Sequence, residues 1–291
     1  MNELPLVSIV TPSYNQGQFI DETIRSVLLQ GYPNLEYIIM DGGSTDGSVD
    51  IIRKYADRLD YWVSEKDSGP AQAINKGFAR AEGKILAWLN SDDFLLPGAI
   101  GRIAEIHKNN PSAVAWVGGC YRIDTTGRIL SVVIPQGLNR DCLADWGNGG
   151  FFYQPSCFFT AQAWYETGPL DENLLFAFDL DFWLRVSSIG AFASTAEIIS
   201  AAIIHKDAKT QAHRLEMHAE TIAVQVKHGY QKAAIKRLVR LLEGPSLNSR
   251  IREILRARLR DLASHLAFWK RNEHPQYVRF PSDWFTKGSD L

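Results

Sequence analysis

Short apolar runs alternate with helical patterns over the first 95 residues of the chain. The continuous apolar runs predict strands at residues 6–10, 35–40, 61–63 and 85–89. Apolar residues at helical spacing predict helices at residues 18–30, 48–56 and 70–80. These strand–helix repeats predict an α/β fold, with a Rossmann-like, mostly parallel central sheet flanked by helices on both faces.

The pattern is more varied after residue 97. It predicts a fifth strand at residues 114–117, a hairpin of residues 121–124 and 129–134, a helix at 177–188 and a last strand within 193–204. From about residue 209 the pattern is helical as far as residue 269. We therefore expect an α/β domain over residues 1–207 and a helical C-terminal extension over residues 208–291.

Polar side chains follow the predicted parallel strands, at the point where each strand ends. They include Thr11, Asp41, Asp67 and the adjacent pair Asp92 and Asp93. In open α/β sheets, ligands bind beyond the carboxyl ends of the strands. The sequence therefore predicts one crevice that these side chains line together.

The adjacent acids Asp92 and Asp93 are the sharpest chemical feature. Two neighbouring carboxylates repel each other unless a cation or hydrogen-bond donors offset the repulsion. Mg²⁺ and Mn²⁺ prefer oxygen ligands and bind through one or two carboxylates together with substrate phosphates. The alternative is that one of the acids caps the helix expected after Pro97.

Composition narrows the class of protein. The chain has 291 residues, 45% of them hydrophobic and 22% charged, which is typical of a globular protein. A net charge of -2 gives no bias toward nucleic acid. Its three cysteines form no CxxC pair, and neither a membrane-spanning run nor a secretion signal is recognisable. We therefore expect a cytoplasmic protein.

Four segments resemble motifs of the family 2 glycosyltransferases, which are inverting enzymes of GT-A fold, many of them in polysaccharide biosynthesis. The segments are VSIVTPSYN at residues 7–15, DGGSTDG at 41–47, LNSDD at 89–93 and FDLDFWLR at 178–185. The resemblance covers about residues 5–207 in the family's order. It implies transfer of a sugar from a UDP, GDP or dTDP donor to a hydroxyl of a glycan or a lipid-linked glycan.

The resemblance also implies roles for matching residues on the donor side. The donor would contact Thr11, Pro12, Tyr14, Asn15, Asp41 and Asp92. Asp93 would ligate Mn²⁺ or Mg²⁺ on the diphosphate, and His205 would be a further metal ligand or touch phosphate. Asp67 and Lys76 are additional donor-binding candidates. The alternatives are turn roles for Asp41 and Asp67, a solvated helix face for Lys76 and a core position for His205.

Asp179 occupies the position that the family uses for its catalytic base. An acceptor hydroxyl is a weak nucleophile, so a carboxylate should take its proton, and one carboxylate without a second nucleophile gives inversion at the anomeric carbon. Aromatic neighbours such as Phe178 and Trp183 can raise the pKa of Asp179 toward a useful range. The alternative is that Asp179 is the N-cap of the following helix.

Two positions depart from the family pattern. Asn90 stands where many relatives carry the first acid of the metal motif, and Phe178 replaces the acid before the base. A partner for Asp179 would then be missing or would come from Asp181. These departures keep open a second hypothesis, a catalytically inactive sugar-nucleotide or glycan-binding protein. The glycine motifs of dehydrogenases and P-loop ATPases are absent from the sequence.

The acceptor side is predicted in an aromatic and amide-rich segment at residues 146–154. Trp146 and Gln154, with Asp181, are the acceptor-binding candidates, and ordinary core packing is the alternative. Farther along, Arg252, Arg256 and Arg260 recur at helical spacing. A basic helix of this kind can lie on anionic lipid at the inner face of the membrane, and a solvated face or a contact between copies in a homo-oligomer is the alternative.

Overall fold

The computed structural model describes residues 4–205 and 213–243 of the chain. The strands are β1 (Val7–Ser13), β2 (Leu35–Asp41), β3 (Tyr61–Ser64), β4 (Ile85–Trp88), β5 (Asp93–Leu95), β6 (Ala115–Ile123), β7 (Ile129–Val133), β8 (Cys157–Thr160) and β9 (Phe192–Ile203). The helices are α1 (Ile20–Leu28), α2 (Ser48–Lys54), α3 (Pro70–Phe78), α4 (Ala99–Asn109), α5 (Arg140–Ala144), α6 (Ala161–Thr167), α7 (Phe178–Val186), α8 (Arg214–Lys227) and α9 (Gln231–Glu243). The predicted α/β fold is confirmed.

One sheet runs through the molecule in the order β3-β2-β1-β4-β8-β6-β9-β5, with β7 beside the second half of β6. The pairs β1–β2, β1–β4, β2–β3 and β6–β9 are parallel. Strand β8 lies antiparallel between β4 and β6, so the carboxyl ends of β1, β2, β4 and β6 point the same way. The parallel portion matches the sequence prediction, and the antiparallel strands β5 and β8 were not predicted.

Strand β6 is longer than the sequence pattern indicated, because it joins the predicted fifth strand to the first strand of the hairpin. Gly118 and Gly119 lie at this junction, where β6 and β9 pair with a shifted register. A Cβ atom at either glycine would come within 2.6 Å of Ile199 or Ile198 on β9. The glycines therefore allow the continuous strand to pass close to its neighbour.

Alternating side chains of the strands build a hydrophobic core on each face of the sheet. Val10 and Trp88 point to one face, where α3, α6 and α7 pack, and Ile9 and Tyr37 point to the other. The rings of Trp88 on β4 and Trp183 on α7 are stacked, with their centroids 5.0 Å apart. This contact holds α7 beside the carboxyl end of β4.

The chain divides into two compact units, residues 1–238 and residues 239–291. Only residues 239–243 of the second unit are described. The predicted boundary after residue 207 and the basic residues Arg252, Arg256 and Arg260 lie outside the described residues. Within the described part, no helix has the length and apolar character needed to cross a bilayer.

Candidate active site

The carboxyl ends of β1 and β2 lie side by side at the predicted crevice. Ser13 at the end of β1 is in register with Asp41 at the end of β2, and the Gly42 amide donates to the Ser13 carbonyl over 2.8 Å. Ser64 at the end of β3 is in turn in register with Asp41. Parallel pairing therefore brings the polar ends of three strands to one edge.

The carboxylate of Asp41 organises the turn that follows β2. Its Oδ2 atom accepts hydrogen bonds from the Gly43 and Ser44 amides at 3.1 and 2.9 Å and from the Ser64 hydroxyl at 2.6 Å. Its Oδ1 atom accepts from the Ser44 hydroxyl at 2.5 Å. Asp41 is 2% exposed. Asp41 therefore has the turn-stabilising role that the sequence analysis left open as an alternative. Its contact with a nucleotide stays a prediction.

Hydrogen bonds join the loop after β1 to the turn after β2. The Asn15 amide donates to the Ser44 hydroxyl over 2.8 Å, and the Asn15 side chain accepts from the Thr45 amide over 2.9 Å. Asn15 has a φ of 52°, a left-handed conformation that asparagine tolerates. The Gly17 amide donates to Asp46 over 2.8 Å. The two loops thus form one rigid rim beside the crevice.

Among the residues predicted to line the nucleotide, Tyr14 presents its side chain to solvent and Thr11 does not. Tyr14 is 62% exposed, so its ring is accessible for stacking. Thr11 is fully buried, and its hydroxyl is hydrogen-bonded to the Tyr37 hydroxyl at 3.0 Å. Pro12 is also buried. The side chain of Thr11 therefore supports the core beneath the site rather than lining the crevice.

Asp67 lies against the Asp41 turn. A Cβ atom at Gly42 would stand 2.8 Å from Asp67 Oδ2, and Asp67 Oδ1 accepts from the Gly69 amide at 2.9 Å. Lys76 on α3 forms a salt bridge of 2.7 Å with Glu65, and this hydrogen bond raises the pKa of Lys76. Lys76 is thus charged at the β3 side of the site, with Glu65 as its present partner.

The acids after β4 belong to a hydrogen-bonded network. Asn90 Nδ2 is 3.3 Å from both Asp93 Oδ2 and Gln154 Oε1, and Gln154 Nε2 donates to the Trp88 carbonyl over 2.8 Å. Asp93 opens β5 and is buried, in register with Ala202 on β9. Burial, followed by the charge of Asp92, raises the pKa of Asp93 well above its usual value. Asn90 therefore serves as a donor to the buried carboxyl group of Asp93.

His205 joins this network from the end of β9. Its Nε2 atom is 3.1 Å from Asp92 Oδ2, and its ring packs against Phe19 with centroids 4.8 Å apart. Its Nδ1 atom is buried without a hydrogen-bond partner among the described residues. His205 therefore lies beside the acid pair, and its role as a metal ligand or phosphate contact stays a prediction.

The acid network suits a divalent cation that is shared with substrate. The described residues contain no group of three or more His, Cys, Asp or Glu side chains able to hold a metal ion on their own. Mg²⁺ and Mn²⁺ usually take only one or two carboxylates and complete their shell with water and phosphate. A cation beside Asp93 would also offset the burial and repulsion that disfavour its ionised form. The donor set therefore fits a metal held jointly with a diphosphate.

Asp179 lies in the first turn of α7, and burial raises its pKa to about 6. The charge of Glu220 contributes to this increase, and the Leu180 amide, which donates to Asp179 Oδ1 over 2.7 Å, opposes it. The N-cap residue of α7 is Ala177, so Asp179 is not the N-cap that the sequence allowed as an alternative. Asp179 also lies one turn before Trp183, whose ring is stacked on Trp88 at the end of β4, just before the segment that carries Asp92 and Asp93.

Asp181 has a structural role, which differs from the acceptor-binding role that the sequence suggested. Its carboxylate is 1% exposed and lies 2.9 Å from each of Arg185 Nε, Lys227 Nζ and His228 Nε2. Burial alone would raise the pKa of Asp181, but the bonds from Lys227 and His228 lower it. The carboxylate oxygen atoms of Asp181 are thus engaged by Arg185, Lys227 and His228 within the protein, and this arrangement does not support contact with an acceptor.

Replacement of Asp181 by Asn should destabilise the fold by about 3–5 kcal/mol, because it removes the buried negative charge that pairs with Arg185 and Lys227. Urea unfolding at neutral pH measures this difference. Asp50→Asn is the matched control, because Asp50 forms an exposed pair with Arg53 and should change stability by less than about 0.5 kcal/mol. Equal stability of the two variants would contradict the structural role of Asp181.

The remaining acceptor candidates are partly engaged within the protein. Trp146 packs edge-on against Phe151 and Phe152, with ring centroids 5.1 and 5.2 Å away, and its carbonyl accepts from Arg237. Gln154 bridges Asn90 and the Trp88 carbonyl, as described above. Core packing, the alternative considered for this segment, therefore accounts for much of its aromatic content.

The structure brings two further side chains toward the acid network: Arg122, which the sequence analysis did not single out, and Tyr153 of the predicted acceptor segment. Arg122 on β6, Ala202 on β9 and Asp93 on β5 share one register row. Burial raises the pKa of Tyr153, with Arg122 lowering it and Asp93 among the charges that raise it. Their proximity depends on strand register across β9, which no local sequence pattern encodes.

Comparisons with known proteins agree with this architecture. The sequence matches Glycosyl transferase family 2 over residues 8–168, more than half of the chain. Chondroitin synthase of Escherichia coli is 28% identical over 240 residues, which are 81% of this chain and 34% of that protein. The chain spans about a third of the length of curated relatives such as this one.

Solved structures show the same fold. TarS 1-349 of S. aureus in complex with UDP has a TM-score of 0.61 at 16% identity, covering 82% of this chain and 72% of that chain. The mannosyltransferase PcManGT of Pyrobaculum calidifontis, in complex with GDP-Man and Mn²⁺, has a TM-score of 0.57 at 17% identity, covering 90% of this chain and 81% of that chain. With its GT-A fold and its family match, the chain belongs to glycosyl transferase family 2.

Proposed function

We propose that the chain is an inverting glycosyltransferase that moves a sugar from a nucleotide-diphosphate donor to a hydroxyl of a glycan or lipid-linked glycan. The observation that carries this proposal is the carboxyl group of Asp179, whose pKa is raised to about 6. A base with that pKa is ionised at neutral pH and still able to accept a proton. The family membership supplies the reaction class.

Asp179 would act on the acceptor. Its carboxylate takes the proton from the acceptor hydroxyl while the hydroxyl oxygen forms a bond to the anomeric carbon of the donor sugar. The bond from that carbon to the β-phosphate oxygen breaks, and the nucleoside diphosphate leaves with the electron pair. Attack by a single hydroxyl from the face opposite the leaving group inverts the anomeric configuration.

Asp92, Asp93 and His205 would act on the donor. Asp93, with His205, would hold Mn²⁺ or Mg²⁺, and the cation would neutralise charge on the departing diphosphate. Asp92, held by His205 at 3.1 Å, would accept hydrogen bonds from hydroxyl groups of the ribose or the donor sugar. The stacked pair Trp88 and Trp183 connects this loop to the helix that carries Asp179, which supports a shared site.

The rim of the crevice would bind the nucleotide. The exposed ring of Tyr14 offers a stacking surface for a base, and Asn15, Asp41, Asp67 and Lys76 lie in or beside the interlocked loops around it. Solved structures of similar fold hold UDP, UDP-GlcNAc or GDP-Man, and these ligands are our first donor candidates for this chain.

A second candidate function is a sugar-nucleotide or glycan-binding protein without catalysis, which Asn90 and Phe178 favour. In the structure Asn90 donates to Asp93, which leaves the acid pair as the only carboxylates of that loop. Turnover of a bound donor distinguishes the two functions, because a binding protein would protect the donor and release no nucleoside diphosphate.

The proposal is tested by thermal unfolding with a panel of UDP-, GDP- and dTDP-sugars, each with and without Mn²⁺. One donor at about one hundred times its Kd should add about 2.7 kcal/mol of stability, or about 5–10 °C in Tm, and only with metal present. Mn²⁺ alone and the nucleoside monophosphate are the controls. Absence of stabilisation by any nucleotide sugar would contradict the proposal.

A further inference from the structure

We propose that Glu220, on α8, is a positioning residue for Asp179 and supplies the second carboxylate that the motif lacks because Phe178 stands before the base. This inference rests on the proposed function. It assigns a role in the reaction to a helix that follows the last strand of the sheet. Nothing in the local sequence of α8 marks Glu220 as part of a site.

The carboxylate of Glu220 binds the backbone that leads into α7. Its Oε1 atom accepts from the Leu175 amide at 3.0 Å, and its Oε2 atom accepts from the Phe176 and Ala177 amides at 2.7 and 3.0 Å. These three amides precede the helix and have no partner in its own hydrogen-bonding pattern. One side chain from α8 therefore fixes the path of the backbone two residues before Asp179.

Helix α8 makes a second contact with α7, at the first turn of that helix. Lys227 and His228, at the end of α8, bind the carboxylate of Asp181, each at 2.9 Å. Glu220 and Lys227 are seven residues apart, which corresponds to about 10 Å along a helix. The base is thus held between two contacts that both come from α8. A shift of α8 would move Asp179, because both neighbours of its turn are attached to that helix.

Glu220 also sets the electrostatic surroundings of Asp179. Burial is the main cause of the raised pKa of Asp179, and the negative charge of Glu220 raises it further. A carboxylate at this place therefore makes Asp179 a stronger base in addition to orienting it.

Several other charged groups on the described elements that pack against α7 have partners of their own. On α5, Asp141 binds Tyr230 and Arg140 lies over the Tyr230 ring. On α6, Glu166 binds Gln162. At the two ends of α8, His213 packs on Phe176, and Lys227 and His228 bind Asp181. Among the described residues, Glu220 is the charge that raises the pKa of Asp179 in addition to burial.

The test compares Glu220→Gln and Glu220→Ala with wild type in pH profiles of kcat, using the donor found in the panel. Gln loses the charge and keeps one acceptor oxygen, while its NH2 group cannot accept from the amides that the other oxygen binds, so the acidic limb should move to lower pH and the plateau should fall about tenfold. Ala also releases the backbone amides, so kcat should fall about a further tenfold while the donor KM changes less than threefold.

Glu216→Gln is the matched control, because Glu216 lies one turn away on α8 and is exposed. It should leave both the limb and the plateau at their wild-type values. An acidic limb that stays in place in Glu220→Gln would overturn the inference, whether or not the variant is less stable. Failure of the proposed function would give a different result. In that case the kcat profile of wild type would show no acidic limb near pH 6, or Asp179→Asn would remain active.

Discussion

Asp179→Asn is expected to lower sugar transfer by about 10³-fold while leaving donor binding at its wild-type level. The amide is almost the same size as the carboxyl group but cannot accept the proton of the acceptor hydroxyl, and loss of a general base typically costs about 10²–10⁴-fold. Calorimetry with the donor and Mn²⁺ measures binding, and release of nucleoside diphosphate measures transfer. Equal loss of binding and transfer would place the base elsewhere.

The same substitution is expected to stabilise the fold at high pH. The pKa of Asp179 is about 6 in the folded protein, against an ordinary value of 3.8, so burial of the ionised form opposes folding above pH 6. Asp179→Asn should therefore be more stable than wild type by about 1–2 kcal/mol at pH 7.5, and the difference should vanish below about pH 4. A gain in stability together with a loss of activity separates a functional residue from a structural one. Unfolding curves at the two pH values provide the comparison.

Asp93→Asn is expected to abolish the metal-dependent part of donor binding and to reduce kcat/KM by about 10²–10³-fold. Asp93 is the buried acid of the network, and its side chain is the one that a cation on the diphosphate would need. The folded state should remain, because the substituted amide removes a buried ionisable group rather than creating one. Donor titrations with and without Mn²⁺ measure the effect.

Chelation of the metal from wild type is the paired control for this variant. It should reproduce the loss seen in Asp93→Asn and should leave the residual activity of Asp93→Asn unchanged. If Asp93→Asn bound the donor with Mn²⁺ as tightly as wild type does, the metal would not be held at Asp93.

Local sequence patterns were sufficient for the parallel portion of the sheet. Strands β1, β2 and β4 are mostly apolar and end in or are followed by polar residues, and this pattern predicts buried parallel strands whose ends form a site. Strands β5 and β8 were missed because each is short, lies outside the strand–helix repeats and is defined by its antiparallel partner. Long-range pairing cannot be inferred from such short runs.

The site residues likewise divide into those that local motifs predict and those that depend on contacts with distant elements. Asp41, Asp93 and Asp179 lie in recognisable motifs, and the fold places them at the end of β2, at the start of β5 and in the first turn of α7. Asp181 belongs to the same motif, but its role depends on Lys227 and His228 from α8. Glu220 binds backbone amides, so its partner segment carries no side-chain signature. Residues that act through backbone contacts across distant elements are invisible to motif analysis.

The stereochemistry of transfer to water tests the central claim most directly, because it does not require the acceptor to be known. Slow hydrolysis of the donor can be followed by NMR at early times, before the released sugar equilibrates between its anomers. Direct attack by one hydroxyl, with Asp179 as the base, predicts that the sugar first appears with the anomeric configuration opposite to that in the donor. First appearance of the configuration present in the donor would contradict the account.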